Sequence, residues 1–210
     1  MNKKLKDGLA IVLPNKRINL FVIFVLVLGI ISGSIFLMTI KDNDKSLVIE
    51  QINNFIMNIN NNKIDNFMAF KNAICENYIF IFLIWILGMS MIGVVVNIFL
   101  VYFKGFIYGF TLSSFYIVFG YKGLLLSLIY VCPTIIINFI IAMILGVYSI
   151  LFTSYLWKVI FSHDRNTGVK RFIKKYLVIL CFVLVLGFIS SICESYLIPA
   201  MIKVVIKVFI

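Results

Sequence analysis

Apolar residues dominate this chain in long runs, and the polar positions between them mark where the runs must end. The first run, Ile18 to Ile40, is long enough for one membrane helix, since about 20 apolar residues span a hydrocarbon core of about 30 Å. Residues 41–77 break the pattern. Within them Ile49, Ile52, Ile56 and Ile59 recur at helical spacing, and Ile64, Phe67, Met68 and Ile74 do so less regularly, which predicts two short amphipathic surface helices. Asn58 and Asn60 to Asn62 mark the turn between them. A second membrane helix is expected over 78–103, and a fifth over 172–193.

The stretch from Trp85 to Phe110 concentrates Gly88, Gly93, Gly105 and Gly109 around the single charge Lys104. Gly88 and Gly93 read as close helix contacts inside the second helix, Lys104-Gly105 as the turn that ends it, and Gly105 to Gly109 as a small-xxx-small face on the third. Gly29 and Gly33 supply a similar face on the first helix. From Gly105 to Trp157 the only charge is Lys122. This stretch would make about 80 Å of helix, whereas two crossings need about 60 Å. Gly120-Tyr-Lys-Gly123 is the natural turn, and Pro133 is expected to break a half-inserted piece at 124–132 from a full helix at 134–157. The tail after Glu194, with Pro199, Lys203 and Lys207, reads as a surface helix too short to cross.

Composition confirms the class. At 63% hydrophobic and 13% charged, the chain is far from soluble domains, which are about 45–50% apolar and 25% charged. The expectation is an all-α integral membrane protein of about five transmembrane helices, one broken near Pro133, with short amphipathic surface helices. A net charge of +11 does not indicate nucleic acid, because the basic residues flank apolar spans, as insertion demands. The clusters at 1–17 and 158–175 place those segments in the cytoplasm, and 41–77 and the tail 194–210 outside, with 18–210 one membrane domain. The first apolar run exceeds a signal-peptide core and is expected to stay as an anchor.

Candidate chemistry is sparse. Cys75, Cys132, Cys181 and Cys193 lack metal-ligand spacing and have only His163 for company, so neither a metal nor a cofactor is expected. Cys75 and Cys193 would both lie near the outer face, within reach of a disulfide, although cysteine in such runs usually packs as a small hydrophobe. With Lys104 taken as a turn and Glu194 as a helix end, no ionisable residue falls in the middle of a span, which argues against intramembrane catalysis and proton-coupled transport. Ser90, Asn97, Ser113, Ser114 and Asn138 are the polar groups at depth. Glu194 closes the fifth helix at the wrong end for the helix dipole, so a partner such as Lys122 or the tail is expected.

Five ordered pieces resemble one known family. They are Leu83 to Gly93, Phe103-Lys-Gly-Phe-Ile-Tyr-Gly-Phe-Thr111, Tyr121-Lys-Gly-Leu-Leu-Leu-Ser-Leu128, Cys132-Pro133 and Glu194-Ser-Tyr-Leu-Ile-Pro199 through Lys203. Together they are similar to the stage II sporulation protein M family over about 72–203. The chain departs from the family pattern at Val94-Val95, where a proline is usual, and at Thr134-Ile135, where a Gln-Asn pair is usual. The resemblance implies a non-enzymatic membrane scaffold that recruits the peptidoglycan-degrading stage II sporulation proteins P and D to the septal membrane for engulfment. It places Glu194, Tyr196 and Pro199 on an outer docking face. Besides these proteins and the lipid bilayer, a second copy of the chain is a conceivable partner. A permease-like subunit is the alternative, because discontinuous helices also build transport sites.

Overall fold

The computed structural model describes residues 16–61, 65–90, 93–161 and 169–209, and among them every regular element is helical. The elements are α1 (Lys16–Thr39), α2 (Asp42–Asn60), α3 (Asn66–Gly88), α4 (Gly93–Phe161), α5 (Val169–Ile192), a π-turn (Cys193–Leu197) and α6 (Ile198–Phe209). Five segments are long and apolar enough to cross a membrane: Lys16–Thr39, Asn66–Gly88, Gly93–Gly123, Thr134–Trp157 and Ile173–Val204. The number expected from the sequence therefore stands, but three of its boundaries move.

The first shift concerns the turn between the second and third crossings. Lys104-Gly105 lies inside α4, and the chain instead reverses after Gly88, through Met89 and Ser90 to Gly93. Residues 91 and 92 lie outside the described set. Ser90 closes this hairpin by accepting from the Gly93 amide at 2.8 Å. Gly93 is required there, because a Cβ would collide with the Leu87 carbonyl. An uninterrupted apolar sequence concealed the reversal, since a membrane hairpin that satisfies its own backbone needs no polar residues to announce it.

The second shift follows. α3 starts at Asn66, so residues 66–77 belong to a spanning helix and not to a second surface helix. Asp65 caps that helix, its carboxylate accepting from the amides of Phe67 and Met68 at 2.9 and 3.2 Å. The third shift is at the proline. The backbone stays helical through Pro133, and among the described residues the break in α4 is at Gly120, with φ 58° and ψ −138°. A proline in a membrane helix can be carried without breaking it, whereas positive φ is costly for any side chain but absent for glycine. The expected Gly120-to-Gly123 turn is thus the observed bend, and residues 124–132 continue as helix.

The two arms of α4 run back along each other, with Asn97 bonded to Ser149. α1 lies against the first arm through Gly29 and Gly33, and α3 and α5 also pack on α4. The principal core gathers Leu26, Ile81, Ile84, Val101, Leu145, Tyr148, Tyr176 and Val183, all nearly fully enclosed. At the hairpin end Tyr176 stacks on Phe152 and Trp85, with ring centroids 4.9 and 5.8 Å away, and donates to the Trp85 carbonyl at 3.1 Å. At the other end a smaller cluster seats Ile56 and Ile59 of α2 on Phe115, Ile198 and Ile202. The segment Gly93–Gly123, of 31 residues, is about 46 Å long against a hydrocarbon core of about 30 Å. Its excess length carries Phe115 and Phe119 to meet α2 and α6.

Candidate functional site

Four of the glycines singled out by spacing do meet. Gly29 and Gly33 of α1 face Gly105 and Gly109 of α4. A Cβ on Gly29 would lie 2.9 Å from the Phe106 amide nitrogen, and one on Gly33 would lie 3.0 Å from that of Phe110. A Cβ on Gly105 or Gly109 would collide with the carbonyl of Leu26 or Ile30. In lipid there is little hydrophobic drive between helices, so such close approach supplies the dispersion that holds them together. Two hydroxyl bonds add to it: Tyr102 to Ser32 at 2.7 Å and Ser34 to the Gly109 carbonyl at 3.1 Å. Gly88 has a different neighbour, the hydroxyls of Tyr176 and Ser149 at the hairpin end.

One residue before each glycine of the α4 pair, the same helix presents a second ridge, Lys104 and Tyr108. A step of one residue turns an α-helix by about 100°, so this ridge leaves α1 and faces α3 and the π-turn. There it lines a cavity of about 150 Å³ together with Glu76 and Asn77 of α3, Thr111, Thr134 and Asn138 of α4, and Glu194. Lys104 lies eleven residues beyond Gly93, about 16 Å along the helix and hence near the middle of a crossing. Glu76 and Glu194 fall inside the spans Asn66–Gly88 and Ile173–Val204. The expectation that no ionisable residue lies at depth is therefore corrected. It rested on the misplaced turn, which moved Lys104 to a surface, and on ending the fifth helix at Cys193.

Every wall of this cavity has a local cause. Glu194 sits in the π-turn, where one extra residue per turn realigns the helix face; such turns recur at functional sites. Ser195 caps the irregularity by donating to the Ser191 carbonyl at 2.8 Å. Asn77 donates to Ser191 Oγ at 3.0 Å, and Asn138 accepts from Ser190 Oγ at 3.1 Å, so a serine pair on α5 fixes both amides. The Lys104 ammonium stands over the rings of Phe80 and Tyr108, 5.1 and 5.8 Å from their centroids. It is close enough to Glu194 and Glu76 to feel both charges, yet among the described residues none of the three makes a direct ion pair. Glu194 was expected to pair with Lys122 or the tail; its cationic neighbour is Lys104.

The remaining expectations divide. Tyr196 is exposed and packs against Phe70 at 6.1 Å, while Pro199 is half-buried at the start of α6. Glu194 points into the bundle with the cavity and does not share their surface. Cys75 and Cys193 are free thiols. His163 and the residues from 162 to 168 lie outside the described set, as do the basic residues Lys3, Lys4 and Lys6. Sequence reasoning missed Glu76, Asn77 and Tyr108. The available signal was Lys104 followed by Tyr108 at i+4, flanking Gly105 and Gly109, which is a helical repeat and not a turn.

Five segments long and apolar enough to cross a membrane, a glycine crossing and a polar, charged cavity define a multi-pass helical membrane protein. Comparison with known families then places it: the chain matches the family described as stage II sporulation protein M over residues 21–199, and it belongs to that family. Searches of curated proteins and of solved structures find no match.

Proposed function

We propose that this member of a sporulation family is a non-catalytic scaffold that holds peptidoglycan-degrading proteins, the stage II sporulation proteins P and D, at the septal membrane during engulfment. Its N-terminus is cytoplasmic, so the hairpin at Met89 and Ser90 faces the cytoplasm and α2 with α6 faces outward. The observation that carries the reading is the α2 platform. α2 lies on the bundle through Ile56 and Ile59, and turns Leu47, Met57 and the charges Asp42 and Asp44 outward. Seating it on Phe115, Ile198 and Ile202 makes it a fixed surface and not a loose loop. A tether of this kind acts through effective concentration, raising a captured hydrolase locally to about millimolar without any catalytic contact.

Deleting the chain is expected to disperse the hydrolases from the septum and stall engulfment, while they retain activity on isolated cell wall. Replacing Leu47 and Met57 by Glu should weaken co-purification of the hydrolases and leave membrane insertion intact. Unchanged hydrolase localisation in the deletion strain would remove the scaffold reading. A permease-like subunit is the second reading, favoured by the charged cavity at Lys104 and Glu194. Solute flux into proteoliposomes above that of empty vesicles would promote it.

A further inference from the structure

We propose that the cavity between α3, α4 and the π-turn is a binding site for a small zwitterion of the amino-acid class. The inference goes beyond the scaffold reading and stands whether or not that reading holds.

The first observation is the separation of charge. Lys104 and Glu194 come from different helices, line one cavity of about 150 Å³ and make no direct ion pair among the described residues. In an apolar setting opposite charges gain most by direct contact. Held apart across a cavity, they call for something between them that accepts from the ammonium and donates to the carboxylate. The second observation is independent. Tyr108 is only 9% exposed and lines the same cavity beside Asn138, yet its hydroxyl makes no hydrogen bond of normal geometry among the described residues. Buried polar groups are rarely left unmet, so an unpartnered hydroxyl in a polar cavity marks the place of a missing ligand.

Complementarity at both ends selects the class. Glu76 also lines the cavity but is exposed, and Lys104 and Glu194 are the half-buried pair. A zwitterion meets both of them, its carboxylate toward Lys104 and its ammonium toward Glu194. A bare cation or a bare anion meets only one of the two and leaves the other without a partner. The space suits a small occupant, equal to about five waters at roughly 30 Å³ each. The apolar side chain of Ile198 lines the cavity and also belongs to the cluster under α2, so one residue joins the site to the platform.

Equilibrium binding of radiolabelled glycine, L-alanine and L-serine to the purified full chain in lipid nanodiscs tests this. Methylammonium and acetate serve as single-charge controls. At least one of the three zwitterions should bind saturably at one site per chain, and each control should compete about tenfold less well or worse. Lys104→Met and Glu194→Gln should each weaken binding about tenfold or more, and Tyr108→Phe by about fivefold. Should either charge variant fail to fold, Tyr108→Phe and Thr111→Val still report on the same cavity. No saturable binding by any of the three at 10 mM, roughly the weakest affinity a specific site would show, would mean that the cavity holds water only and overturn the proposal. So would methylammonium binding as tightly as the zwitterions, or folded cavity variants binding like the parent chain. Binding without flux in proteoliposomes would keep the site and discard a transport role.

Discussion

Two ridges of α4, one residue apart in sequence, do opposite work. Gly105 and Gly109 bring the helix against α1 so closely that a Cβ cannot enter, while Lys104 and Tyr108 hold it away from α3 and the π-turn around a polar cavity. Both ridges have i, i+4 spacing, and the difference lies in side-chain size and charge. The comparison teaches that in lipid a helix is positioned by what it lacks on one face and specialised by what it carries on the next.

The largest effect is expected where the first ridge is broken. Gly109→Leu places a side chain on the Ile30 carbonyl, where neither backbone can yield cheaply, and should cost about 3 kcal/mol or more. Thermal unfolding in detergent would show it, against Gly146→Ala as control, where a Cβ would make only ordinary contacts at 3.4 Å and beyond. Equal losses at both positions would make the α1 crossing unimportant.

The second ridge should respond less. Lys104→Met leaves Glu194 without its cationic neighbour. Breaking a fully buried pair in contact costs about 3–5 kcal/mol; these two groups are half-buried and not in direct contact, so about 1–2 kcal/mol is expected. The same unfolding assay reads it. Gly120→Ala comes next. Nothing lies within 4 Å of the added Cβ, so only the φ of 58° opposes it, at about 1–2 kcal/mol. Asp65→Ala, which removes the cap of α3, should cost about 1 kcal/mol or less.

Much of the frame was legible. Hydropathy gives five crossings, spacing gives the glycine faces at 29, 33, 105 and 109, and Ile56 and Ile59 of the amphipathic α2 are the residues that reach the core. The cavity was not legible, for a physical reason. Hydropathy detects where a helix leaves the membrane only if polar residues stand there, and the Gly88-to-Gly93 hairpin has a single serine in its described part. Placing the turn at the nearest charge then removed Lys104 from the membrane. Glu194 was lost in the same way, because a carboxylate after an apolar run reads as an end. Only the packing of α3, α4 and the π-turn around one cavity shows that these groups share one depth.

The account stands most directly on Lys104 and Glu194 facing one cavity, and a double-mutant cycle measures that. Unfolding free energies of Lys104→Met, Glu194→Gln and the double variant should differ from additivity by about 1–2 kcal/mol, the double variant being more stable than the two single losses predict. Additivity within about 0.5 kcal/mol would mean that the two charges do not interact across the cavity, and would contradict the cavity as described.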